Sequence, residues 1–348
     1  MIVRQKSRWL VLLAIAVAAV VMVAAGCGGD DDDSAASSDT SGAASGGGTL
    51  TIVGYSVARE VYADVIPAFK ATPEGADVDF KESYAASGEQ SRAVAAGLDA
   101  DYVAFSLEPD VTRLVDAGLV DADWNSGPQK GFVSNSVVVF ITRKGNPEGI
   151  TTWDDLTRDG VEVITPNPFT SGAAQWNIMA GYGAQIEQGK TEQQGLEYID
   201  ALFKNVPVQP ASGREALEVF EAGKGDVLLS YENEAIAAQR SGIDIDYVIP
   251  DQTILIQNPV AVVNTSKNPE VAKAFETFAL GPDGQKIFGD NGYRPTDPDV
   301  AAQFDYPKPK QLFTIDDLGG WPEVKTKFFD PDNGAVTKIF EGQGIATE

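Results

Sequence analysis

From Leu50 onward the chain alternates short runs of β-branched and aromatic residues with amphipathic stretches of helical period, and this alternation limits the possible folds more than any other feature. Strand candidates are Leu50–Val53, Val78–Phe80, Tyr102–Phe105, Val137–Thr142, Val161–Thr165, Val227–Ser230, Asp246–Ile249 and Val260–Val263. Helix-like segments fall between several of them, at Arg59–Lys70, Gln90–Ala96, Glu108–Ala117, Ala173–Gly183, Thr191–Phe203, Glu215–Ala222 and Pro269–Ala279. The expected class is α/β, with mainly parallel sheets covered by helices on both faces. Such sheets take their ligands at the carboxyl ends of the strands. No repeat of roughly 20–50 residues is visible, which argues against a solenoid or propeller. At 348 residues the chain has room for two domains of ordinary size. The apolar runs Val137–Ile141 and Pro259–Val263 are candidates for two strands crossing between them.

Composition removes much chemistry. There are 26 Lys+Arg against 51 Asp+Glu, a formal net charge of −25, so a phosphodiester backbone would be repelled and nucleic-acid binding is not expected. The chain has no histidine, which excludes Ser-His-Asp and Cys-His catalysis and His-ligated zinc. A single cysteine, Cys27, excludes an intramolecular disulfide, a redox pair and a cysteine-built metal cage. No catalytic residue, cofactor or metal is expected.

That cysteine has an instructive address. Arg4, Lys6 and Arg8 precede an uncharged apolar run, Trp9–Ala25, followed by Gly26-Cys27. A basic segment, a short apolar segment and small residues at the break describe a secretory signal over residues 1–26. Val23-Ala24-Ala25-Gly26-Cys27 resembles a lipobox, with Ala24 where Leu is usual, so Cys27 is the expected lipidation site. The alternative is an uncleaved membrane anchor; either way the remainder faces outward. The stretch to residue 48 is Gly, Asp, Ala, Ser and Thr, with Asp30 to Asp33 consecutive, and reads as an acidic flexible tether. The folded part is expected from about Thr49.

Within it, Ser87-Gly88, Ser171-Gly172 and Ser212-Gly213 each open a helix-like segment. A helix start offers unsatisfied N–H donors and partial positive charge, and a glycine lets another group approach them. Plain capping is the competing explanation, since Ser87 with Gln90 and Ser212 with Glu215 fit the capping box. An acidic protein that holds an anion must do so through such local donors.

These residues carry a resemblance. Val163-Ile164-Thr165-Pro166-Asn167-Pro168-Phe169-Thr170-Ser171-Gly172 is similar to the signature of the sulfate-binding proteins that feed sulfate/thiosulfate ABC transporters. Val139–Pro147, Trp153-Asp154-Asp155-Leu156, Ala201–Val206, Gly225-Asp226-Val227-Leu228, Glu232-Asn233-Glu234-Ala235, Tyr293-Arg294-Pro295 and Leu312–Asp316 extend the likeness from about residue 51 to about 325. The resemblance implies a two-lobed type II periplasmic-binding-protein fold that closes on a dehydrated sulfate dianion in a cleft between lobes. Lobe I is then residues 49–142 with 259–300, lobe II is 143–258, and 301–348 is an extension packing on both. It also implies backbone donors at Ser87, Ser171, Gly172, Ala173 and Gly213, and a hydroxyl donor at Ser171. Where the family has an indole donor this chain has Tyr231, and Phe169 and Gln175 replace flanking basic residues. Ser56, Arg59 and Arg214 are candidates for the cleft edge, Arg214 equally for an ion pair with a neighbouring acid. Trp153, Trp176 and Trp321 are expected in the core.

The implied protein is a monomeric receptor, lipid-anchored on the outer face of the bacterial membrane, that presents sulfate or thiosulfate to permease subunits. A molybdate binder, a carboxylate-pair hydrolase and a surface scaffold that has lost its ligand are the other readings.

Overall fold

The computed structural model describes residues 47–347. The expected signal, Cys27 and nearly all of the tether lie outside the described residues. Among the described residues the strands are β1 (Gly48–Tyr55), β2 (Val78–Ala85), β3 (Tyr102–Ala104), β4 (Phe132–Arg143), β5 (Val163–Ile164), β6 (Val227–Tyr231), β7 (Ile245–Val248), β8 (Gln252–Val262) and β9 (Gln311–Phe313). Gly48, expected in the tether, already pairs with Val78.

The sheet order is β2-β1-β3-β8-β4-β6-β5, with β7 on β4 and β9 on β8. Parallel pairing holds for β1 with β2 and β3, and for β5 with β6. Antiparallel pairing enters at the two long strands. β4 gives Phe132–Val137 to β8 and its later residues to β6 and β7. β8 gives Leu255–Pro259 to β4 and Val260–Val262 to β3. One wing of the sheet therefore carries β1 to β3, the other β5 to β7, and β4 and β8 run between them.

The helix that follows β1 buries one apolar stripe. In α1 (Arg59–Lys70), Val61, Tyr62, Val65, Ile66 and Phe69 recur at helical spacing and are buried. The helices that matter for the site are α2 (Ser87–Ala95), α3 (Glu108–Asp116), α4 (Gly172–Glu187), α5 (Glu192–Lys204), α6 (Gly213–Glu221) and α7 (Glu232–Arg240). Beyond β8 come α8 (Pro269–Leu280), α9 (Pro282–Asp290), α10 (Pro298–Ala301), α11 (Gly320–Phe328) and α12 (Ala335–Gln343). Phe340 of α12 packs on Phe203 of α5 and Phe169, at ring separations of 4.6 and 5.6 Å. All three tryptophans expected in the core are buried, and Trp176 meets Trp321 edge-on at 4.7 Å; full burial of such a ring contributes roughly 1.5–3 kcal/mol. Among the described residues no helix is long and apolar enough to cross a membrane.

Candidate functional site

β1, β3 and β6 all end at the same region, and the residues just past their ends build it. Ser56 follows β1, Ser106 lies two residues past β3, and Tyr231 is the last residue of β6. Ser106 ties the region together. Its N–H donates to Ser87 Oγ at 2.9 Å, and its carbonyl accepts from Trp176 Nε1 at 2.9 Å and Asn258 Nδ2 at 3.3 Å. Its hydroxyl lies 2.6 Å from the Tyr231 hydroxyl. Ser87 in turn donates to Asp110 Oδ2 at 2.6 Å.

The three helix starts meet this frame and one another. Gly88 N–H donates to Thr170 O at 3.2 Å, joining the α2 start to the turn before α4. A methyl at Gly172 would lie 2.7 Å from Ser106 Oγ and 2.8 Å from Leu107 Cγ, so only glycine allows this approach. A methyl at Gly213 would reach Val57 Cγ2 at 3.1 Å and Ala173 Cβ at 3.5 Å. Arg214 N–H points to Ser56 Oγ at 3.5 Å.

First-turn amides have no intrahelical acceptor, so each must be accounted for. In α2, Gly88 is taken by Thr170, which leaves Ser87 and Glu89. In α6, Arg214 has Ser56 and Glu215 has Ser212 Oγ, which leaves Gly213. In α4 Gly172, Ala173 and Ala174 have no acceptor among the described residues, whereas Ser171 N–H donates to Asn167 O at 2.9 Å. The amides of Ser87, Gly172, Ala173 and Gly213 are thus among the unengaged donors, together with those of Glu89 and Ala174, and the Ser171 amide is engaged within its own turn. Ser171 is a buried residue and its hydroxyl makes no cap hydrogen bond.

Capping accounts for one of the three serines. Ser212 caps α6 by accepting from Glu215 N–H at 3.3 Å. Ser87 is the first residue of α2 rather than its cap, because its hydroxyl is committed to Asp110 and Ser106, so the expected capping box with Gln90 does not form.

The cleft-edge candidates separate. Ser56 belongs to the frame. Arg59 is exposed, with its guanidinium 5.5 Å above the Tyr84 ring. Arg214 pairs with Glu60 at 2.9 Å and approaches Glu234 at 3.8 Å; burial opposes its charge, but the two carboxylates outweigh burial and hold its pKa above the usual range. The basic residues missing at Phe169 and Gln175 are replaced by a ring packed on Phe340 and an amide donating to Pro168 O at 2.7 Å.

Ser106, Asp110, Asn258 and Glu234 were not singled out from sequence. Ser106 had a usable signal, its place at the carboxyl end of a strand. Glu234 is fully buried and accepts from Ser230, while its Oε1 has no hydrogen-bond partner. Burial pushes its carboxyl above the usual range, against the pull of Arg214 and the Ser230 hydroxyl. Glu232 is spent on Arg294, at 2.7 and 3.1 Å, and Glu89 is exposed. Among the described residues no group of three or more Asp, Glu, His or Cys could hold a metal ion.

Unengaged helix-start amides are groups that can hold an anion without a counter-charge. Residues 50–294 match the family model described as bacterial extracellular solute-binding protein. The chain belongs to that family. This solute-binding protein is 43% identical over 303 residues to the sulfate-binding protein of Synechococcus elongatus, covering 83% of this chain and 86% of the relative. It is 39% identical over 295 residues to the thiosulfate-binding protein of Escherichia coli, covering 79% and 86%. Among solved structures, the sulfate-binding protein SubI from Mycobacterium tuberculosis superposes with a TM-score of 0.79 at 48% identity, covering 81% of this chain and 99% of that one. The fold of this solute-binding protein is the two-lobed type II periplasmic-binding-protein fold. The relatives are named for binding, not for a reaction.

Proposed function

We propose that the chain captures sulfate, or thiosulfate, outside the cytoplasm and presents it to ABC permease subunits, acting as a monomeric binding protein and not as an enzyme. The observation that carries this reading is the convergence of three helix starts with unengaged amides, those of Ser87, Gly172, Ala173 and Gly213 among them, beside the Ser106–Tyr231 frame. Donors alone suit a dianion that carries no proton near neutral pH. The sulfate- and thiosulfate-binding relatives support the choice of oxyanion. In this reading residues 49–142 with 259–300 form one lobe, 143–258 the other, and 301–348 packs on both. β4 and β8 are then the crossing strands between lobes. Calorimetric titration of the full-length chain with sulfate, thiosulfate and molybdate tests the reading. Tight sulfate or thiosulfate binding is expected, and silence toward all three would leave a scaffold.

Tyr231 contributes through Ser106 as well as by its own hydroxyl. Tyr231→Phe removes the buried partner of Ser106 Oγ, which costs about 1–3 kcal/mol. Sulfate affinity is expected to fall about ten-fold, and an unchanged affinity would mean the phenol only packs against the wall.

Residues 1–26 are the proposed signal and Cys27 the lipid attachment site, tethering the receptor to the outer face of the membrane. Cys27→Ser is expected to leave unprocessed or mislocalised precursor that does not label with palmitate. Normal maturation without palmitate labelling of the natural chain would contradict this.

A further inference from the structure

A cavity of about 500 Å3 opens beside the helix starts, with Gly88 and Gly172 among its lining residues. Arg92 of α2, Arg113 of α3 and Lys325 of α11 line it, against one carboxylate among the described residues, Asp110. In a chain of net charge −25 this concentration of cations runs against the whole composition. Asp110 is already committed, accepting from Ser87 and pairing with Arg113 at 2.9 Å. Arg92 and Lys325 have no ion-pair partner among the described residues. The Lys325 ammonium has Gln175 Oε1 at 3.4 Å and the Phe329 ring at 5.7 Å. Burial holds its pKa below the usual lysine range; Asp110 pulls the other way, while Arg113 and Arg92 add repulsion. An ammonium kept in that setting without an ion pair among the described residues is a position at which an incoming anion removes a standing electrostatic penalty.

The size of the cavity separates it from the inner site. A water molecule takes up roughly 30 Å3 of liquid, so the cavity has room for an oxyanion that keeps much of its hydration. Binding there is weak and sensitive to salt, whereas amides and hydroxyls would hold a dehydrated ion tightly. The two arrangements suit successive steps. Far from the protein, the negative net charge repels a dianion; close in, cations set in apolar walls such as Leu107 and Phe169 focus an attractive field.

We propose that the cavity lined by Arg92, Arg113 and Lys325 is a second, weak anion site that collects hydrated sulfate-class oxyanions beside the helix starts and speeds their entry. The part concerning entry rests on the proposed function; occupation of the cavity stands without it.

The test uses the full-length chain with inorganic sulfate as the probe. Stopped-flow association is compared for the natural chain and the double variant Arg92→Gln/Lys325→Gln, while NMR follows the Lys325 ammonium during titration. At an ionic strength of about 0.01 M, where charges act over ~30 Å, the double variant is expected to associate about ten-fold more slowly. Near 1 M the two rates converge, and dissociation is the same in both. In the natural chain the Lys325 resonance shifts at millimolar sulfate. Lys325→Arg keeps the natural rate; an equal loss in Lys325→Arg and in the double variant would mark a packing defect and overturn the proposal. So would tight sulfate binding with an unchanged association rate and no Lys325 shift. A Lys325 shift abolished by Arg92→Gln, in a chain without tight sulfate binding, would sustain the cavity site and sink the proposed function instead.

Discussion

Gly172→Ala is expected to lower sulfate affinity about a hundred-fold without deleting any backbone donor. The added methyl would stand 2.7 Å from Ser106 Oγ and 2.8 Å from Ser106 Cβ. Ser106 has no room to yield, because its amide, carbonyl and hydroxyl are all engaged, with Ser87, Trp176, Asn258 and Tyr231. The start of α4 must therefore withdraw from the end of β3, at a cost near the upper end of the 1–3 kcal/mol typical of overpacking, or about 3 kcal/mol. At about 1.4 kcal/mol per factor of ten this is a hundred-fold loss. Gly213→Ala is the control. Its methyl meets side-chain carbons at 3.1 and 3.5 Å, which give more easily, so its effect is expected to be several-fold smaller. Calorimetry on the two variants side by side decides the matter, and natural affinity in Gly172→Ala would refute the contact.

Ser171→Ala is expected to weaken sulfate binding about ten- to a hundred-fold. A hydroxyl donated to a charged acceptor contributes roughly 1.5–3 kcal/mol. Because Ser171 makes no cap bond, its removal should leave the melting temperature nearly unchanged. Ser212 behaves in the opposite way: it caps α6 through Glu215 N–H, so Ser212→Ala should destabilise the fold by about 1 kcal/mol. A Ser171→Ala variant that binds sulfate normally would remove that residue from the site.

Much of the fold was legible because local pattern and tertiary environment agree. α1 occupies Arg59–Lys70 as its apolar spacing predicts, and α8 begins at Pro269. The reading failed where they diverge. β8 begins at Gln252, but Gln257, Asn258 and Pro259 look like a turn; long-range pairing with β4 makes them strand. α7 follows β6 with no intervening loop and lacks a broad apolar stripe. α9, α11 and α12 lie in Gly-, Pro- and Asp-rich stretches and are held by contacts made elsewhere, such as Phe340 on Phe203.

The site divides along the same line. The three Ser-Gly starts are visible because helix-start chemistry is local. Their sorting is not, since Ser87 turns to Asp110 across 23 positions and Gly88 to Thr170 across the cleft region. Glu234 and the cations of the outer cavity enter by tertiary packing, which no spacing in the sequence records, whereas Ser106 stands at the carboxyl end of a strand.

The central claim is that the inner site holds its ion with donors alone. Competition between sulfate and phosphate at neutral pH tests it most directly. Phosphate keeps at least one proton there, and with no acceptor its O–H would face an N–H or hydroxyl donor, a mismatch of about 1–3 kcal/mol or more. Displacement of bound sulfate should therefore need at least ten- to a hundred-fold more phosphate than unlabelled sulfate. Equal displacement would show that a carboxylate, with buried Glu234 the nearest to Gly213, accepts the phosphate proton and that the site is not made of donors alone.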